Sequence, residues 1–150
     1  MNKRVNPSPA DALSLGDLPG ALGYALRRAQ LQVFADFGSA LRPIDLRPAQ
    51  YGVLVVVGAN PGVNQSAVCQ LLGFKQANLV ALINLLVKRG LAERRKSAQD
   101  ARSSALFLTA AGQLLLKRAR RLQQQHERRM VKRLGDDGRS QLLQLLGKLS

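Results

Sequence analysis

The chain is poor in the side chains that most chemistry needs. It has one cysteine, Cys69, so no disulfide can form within it. It has one histidine, His126, and no His/Cys set with the spacing of zinc ligands. No Ser-His-Asp arrangement and no glycine-rich phosphate loop can be traced. Catalysis is therefore not expected, and neither a metal nor a cofactor is expected. No uninterrupted apolar run reaches the length of a membrane span. The N-terminus lacks a secretory pattern. These absences suit a bacterial cytoplasm. Acidic residues are also scarce: 9 against 23 basic ones, for a formal charge of +14. That excess points to a polyanionic partner. The share of hydrophobic residues, 46%, excludes a disordered chain, and 150 residues suffice for one domain with a core.

The centre of the chain carries the organisation. A short helical pattern spans Gln65 to Leu72 and breaks at Gly73-Phe74-Lys75. A second runs from Gln76 to Arg89 and stops at Gly90. Two β-like runs follow, Leu91 to Lys96 and Ser104 to Leu108, around a polar loop with Asp100 and Arg102. Helix, tight turn, helix and two-stranded ribbon is the layout of a winged helix-turn-helix. In the second helix Leu79, Ile83 and Leu86 share one face with Leu82 beside them, which predicts packing on the first helix. The opposite face, with Ala77, Asn78, Ala81, Asn84, Leu85 and Lys88, stays free to enter a major groove.

The ordered set Leu-Leu-Gly-Phe at 71–74, Leu86, Lys88-Arg89-Gly90-Leu91, Glu93-Arg94-Arg95, Asp100-x-Arg102 and Leu108-Thr109-x-x-Gly112 resembles the MarR family of dimeric bacterial transcription regulators. The match is close in the central part of the chain; the flanking helices agree only in length and pattern. The resemblance implies a mainly α fold with a small β-wing, built as a homodimer. Residues 1–16 read as a flexible tail and 17–150 as one domain. Its winged core would span about 48–108, and its dimerisation helices about 17–40 and 109–150.

The flanks read as follows. Asp17 is placed to cap a helix with Pro19 in its first turn, running to about Ser39. That helix is apolar on two sides, through Leu22, Leu26, Ala29, Val33 and Phe37, and through Tyr24, Leu31 and Phe34. Two such sides call for two partners. Residues 42–48 form a loop with two prolines. From Pro48 to about Gly58 the valines would suit either a buried strand or a helix; the resemblance implies a helix. Asn64 and Thr109 are placed to cap the helices that follow them. The last long helix ends near Leu134, Gly135-Asp136-Asp137-Gly138 breaks it, and a leucine-rich helix closes the chain.

Sequence readout falls to the start of the second motif helix: Lys75, Gln76, Ala77 and Asn78, with Ala81 one turn on. Gln and Asn can bond adenine in bidentate fashion, and Ala can touch a thymine methyl. The family often has Ser or Thr at the positions of Lys75 and Ala77 and Arg at that of Ala81, so direct readout looks sparse here. The resemblance implies that Arg102 enters the minor groove, held by Asp100. Arg94, Arg95 and Lys96 are expected on phosphates. The basic face of the long helix either attracts DNA or is merely solvated.

Family members are commonly released from DNA by an aromatic anion. Tyr24, Arg27, Arg28, Phe34, Arg42, Arg47 and Tyr51 offer aromatics and arginines for one. Leu26-Arg27-Arg28-Ala29 and Leu46-Arg47-Pro48-Ala49-Gln50-Tyr51 are similar to regulators of hydroxycinnamate catabolism, which sense an aromatic acyl-coenzyme A. The expected function is thus a repressor released from a palindromic operator by such a ligand, with double-stranded DNA and a second copy as partners. Two alternatives remain: a thiol-based redox sensor acting through Cys69, and an architectural nucleic-acid binder without ligand response.

Overall fold

The computed structural model describes residues 13–96 and 104–149. The chain falls into two compact units, residues 1–35 and 36–150. In the first, a 3-10 turn, Leu18–Gly20, precedes helix α1, Leu22–Leu41, which runs on into the second unit. This corrects the expected start. Asp17 sits before the 3-10 turn, its side chain makes no cap bond, and Pro19 belongs to that turn. Of the expected tail, residues 1–12 lie outside the described ones.

The second unit contains the motif. The expected loop at 42–48 opens with a single 3-10 turn, Arg42–Ile44, and Asp45 takes a left-handed conformation after it (φ 48°). Helix α2, Pro48–Ala59, is the reading the resemblance implied. Its Val53, Leu54 and Val57 are buried, and Val55 and Val56 pack against the same core. Burial of this much apolar surface, about 1.5–3 kcal/mol per large side chain, outweighs the few tenths that each valine costs a helix. A two-residue strand β1, Val63–Asn64, leads into α3, Gln65–Leu72. The Asn64 side chain accepts from the Ala67 N–H at 2.8 Å, as a capping asparagine should.

Helix α4, Gln76–Lys88, turns 116° from α3. The bend is made at Gly73, whose φ of +63° suits a residue without Cβ. Strands β2, Ala92–Lys96, and β3, Ser104–Leu108, pair antiparallel, with Arg94 opposite Leu106. The wing has one more strand than the ribbon expected: β1 pairs with the other edge of β3, giving the order β1-β3-β2. Two residues are too short to show a period-2 pattern, so no sequence signal announced it.

Helix α5, Ala110–Leu134, is capped by Thr109. The Thr109 hydroxyl accepts from the Gly112 N–H at 3.0 Å and donates to the Gly90 carbonyl at 2.6 Å. One side chain thus ties the end of the motif to the start of α5. Gly112 must be glycine, because a Cβ there would lie 1.9 Å from the Leu91 carbonyl oxygen. Gly135 alone separates α5 from α6, Asp136–Leu146. Asp136 and Asp137 are therefore not a break but the first turn of α6, where carboxylates favour the positive end of the helix dipole. No single helix among the described residues is long and apolar enough to cross a membrane.

Candidate nucleic-acid interface

The buried side of α4 is the one its spacing predicts. Leu79, Ile83 and Leu86 are at most 1% exposed, inside a core with Val53, Leu54 and Val68. Because these anchor one face, the opposite face is fixed outward. Lys75, Gln76, Ala77, Asn78, Ala81, Asn84, Leu85 and Lys88 are all exposed. Lys75 occupies the N-cap and no side chain caps it. Asn78 is thus not spent as a cap, and the first N–H groups of α4 are open to an anion such as a DNA phosphate.

The wing is joined to this helix. Arg94 donates from Nη2 to the Asn84 Oδ1 at 2.7 Å, so a strand of the wing and the exposed face of α4 share a bond. Arg95, one residue on, leaves the opposite face of the strand. It donates from both Nε (2.9 Å) and Nη2 to the Glu93 carboxylate, and its guanidinium lies 4.4 Å from the centre of the Phe107 ring. Two adjacent arginines expected to act alike are therefore in different surroundings. Lys96 is exposed at the end of β2. Asp100 and Arg102 lie outside the described residues.

Cys69 has a local task. Its thiol donates to the Phe74 carbonyl at 2.8 Å, and its own carbonyl accepts from the Phe74 N–H at 3.1 Å. Both bonds hold the turn between α3 and α4.

The residues read as ligand contacts divide between the units. Tyr24, Arg27, Arg28 and Phe34 belong to the first, and all but half-buried Tyr24 are exposed. In the second, Arg42 and Arg47 are exposed, and Arg47 donates its backbone N–H to the Gln50 side chain. Tyr51 is half-buried and meets the Phe37 ring edge-on at 5.4 Å. Burial raises the pKa of its phenol, against nearby Arg120 and helped by Glu127, so the group stays neutral. Phe37 also stacks on His126, at 5.1 Å between centroids. His126 is buried and bonds Asp36 from Nδ1 at 2.7 Å, and Arg129 donates to the same carboxylate oxygen at 3.0 Å. The sequence showed His126 as an isolated histidine; its partner is 90 residues away and carries no local signal.

Known proteins share this fold. The MarR family model matches residues 44–103, which contain the helix-turn-helix and the first of the two ribbon strands, β2. A putative transcriptional regulatory protein for the hcr operon of Thauera aromatica is 32% identical over 97% of this chain and 90% of its own length. The transcriptional repressor CouR bound to a 23-mer DNA duplex is 44% identical, covering 91% of this chain and 97% of its own, with a TM-score of 0.85. CouR bound to p-coumaroyl-CoA is 42% identical over 91% of this chain and 96% of its own, also at 0.85. With its central motif matched by the family model and almost its full length matched by these regulators, the chain belongs to the MarR family of transcriptional regulators.

Proposed function

We propose that the protein is a homodimeric repressor that binds a pseudo-palindromic operator through α4 and leaves it when an aromatic acyl-coenzyme A binds. One observation carries the DNA part: the outward face of α4 begins with Gln76, Ala77 and Asn78, uncapped and exposed, on a helix held rigidly by Leu79, Ile83 and Leu86. This is the geometry of a recognition helix, whose N-terminal side chains meet base edges. The effector class rests on likeness to CouR, which binds p-coumaroyl-CoA. The family resemblance adds Arg102, paired with Asp100, as a minor-groove contact.

The test is a titration of promoter fragments against random duplex, with and without p-coumaroyl-CoA. One fragment is expected to bind at least about 10³-fold more tightly than random DNA, and the thioester to release it. Equal affinity for all duplexes would leave an architectural binder. Asn78→Ala should cost about 1–3 kcal/mol and relax preference at one position in each half-site.

A further inference from the structure

The basic face of α5 had no assigned task, and part of it faces a cavity. Gln113, Lys117 and Arg120 recur at i, i+4 and i+7, one stripe of the helix. They line an opening of about 570 Å³ between α2, β3 and α5. Its volume falls in the range of small-molecule sites, about 300–1,000 Å³. Val57 and Leu116 contribute apolar wall, and Phe107 a flat ring. Arg95 enters from the wing, aligned by Glu93 and by the face of Phe107. Lys117 and Arg120 thus lie on the same opening as an aromatic ring, while Arg95 is already paired with Glu93 and stacked on that ring. None of the residues read from the sequence as ligand contacts borders it.

We propose that this cavity binds a nucleoside phosphate, with the base on the Arg95–Phe107 stack and the apolar wall and the phosphates on Lys117 and Arg120. Its chemistry is that of the adenosine bisphosphate end of coenzyme A, and in that form the proposal rests on the acyl-coenzyme A reading above. A free nucleotide offers the same chemistry. Lone phosphate would leave the ring and the apolar wall unused. A free aromatic acid would use one of the two cations, Lys117 and Arg120. Arg95 and Phe107 belong to wing strands, and Lys117 and Arg120 to α5. A ligand held by all four fixes the wing against the long helix, at a place separate from the α4 surface.

Calorimetric titration of coenzyme A, adenosine 3′,5′-bisphosphate, AMP and inorganic phosphate tests this on the parent, Lys117→Ala, Arg120→Ala and Arg120→Lys. Melting and operator binding without ligand serve as controls. Coenzyme A and the bisphosphate are expected to bind the parent. Each alanine variant should weaken both at least tenfold, and Arg120→Lys should restore part of the loss. AMP binding as tightly as the bisphosphate assigns the site to free nucleotides and still supports it. Equal binding of coenzyme A to parent and variants overturns the proposal, as does binding of inorganic phosphate alone. It is also overturned if the alanine variants lose operator affinity with a shallower salt slope, since the stripe is then a DNA contact. Failure of the parent to bind any operator would sink the repressor reading but not this site.

Discussion

Asp36 and His126 meet at 2.7 Å across 90 residues of chain, with Phe37 stacked on the imidazole and Arg129 on the same carboxylate oxygen. An ionised carboxylate only accepts, so the His126 Nδ1 carries the proton and donates it. The pair fastens the last part of α1 to the middle of α5. A buried ring nitrogen is thereby satisfied rather than orphaned.

Removing the carboxylate should therefore destabilise the protein in a pH-dependent way. Asp36 has its pKa lowered, first by the His126 hydrogen bond and then by that of Arg129. A depressed acid stabilises the fold above its unfolded value, about 4, and loses that contribution as pH falls through the folded value. Asp36→Ala should cost about 1–3 kcal/mol at neutral pH, since it leaves the His126 donor unpaired. Asp36→Asn, which keeps an acceptor, should cost less. The gap in melting temperature between parent and Asp36→Asn should narrow towards about pH 3. A gap of equal size at both pH values would show that the charge of Asp36 does not matter.

The motif was legible because each part has a local cause. Asn64 and Thr109 cap within three residues of themselves, Gly73 turns the chain in place, and Leu79, Ile83 and Leu86 repeat at helical spacing. What escaped depends on distant partners. The Asp36–His126 bond, the Arg94–Asn84 bond and β1 on the edge of β3 are contacts that no spacing encodes. Arg94 and Arg95 looked equivalent because they are the same residue type side by side. The pleat of the strand, and what lies on each face of it, separates them. α2 was ambiguous for the opposite reason: a helix buried on several sides loses its amphipathic period.

Gly112 should tolerate no side chain. Its absent Cβ is the space in which the Leu91 carbonyl sits. Gly112→Ala must push α5 from the base of the wing and should cost about 3 kcal/mol or more. Thr109→Ala, which removes the cap and the hydrogen bond to the Gly90 carbonyl, should cost about 2 kcal/mol. Urea unfolding measures both. A Gly112→Ala midpoint equal to that of the parent would mean that the approach relaxes freely.

Asn84 and Arg94 should separate position from charge in DNA binding. Asn84→Ala leaves the Arg94 guanidinium charged but unheld. Operator affinity is expected to fall several-fold with an unchanged salt slope. Arg94→Ala removes one cation from each protomer, so the slope of log affinity against log salt should also become shallower by about 2 for the dimer, as two fewer counterions are released. Titrations at several salt concentrations distinguish the two. If both variants bind like the parent, this bond braces the wing without contributing to DNA binding.

The final prediction concerns the second copy. Leu143, Leu145 and Leu149 on and after α6 are 53–61% exposed, and Leu142 and Leu146 are 40% and 36% exposed. The first unit leaves Leu22, Leu31 and Phe34 similarly open, at 53–63%. Apolar surface of this extent on a small domain marks an association site, and a two-fold dimer would cover the same residues of each copy at once. Leu145→Glu should sediment as a monomer at micromolar concentration while keeping the helical signal of the parent. Its operator affinity should fall more than about tenfold, because two recognition helices no longer act on half-sites one turn apart. Salt provides an independent check through its sign. Each chain carries a formal charge of +14, so two copies repel, and added salt should strengthen dimerisation by screening. The same salt should weaken operator binding, since the protein then competes with counterions for phosphate. Opposite salt dependences for the two equilibria are expected from one charge. A Leu145→Glu protein that still sediments as the parent does would remove α6 from the interface and leave its leucines without a partner.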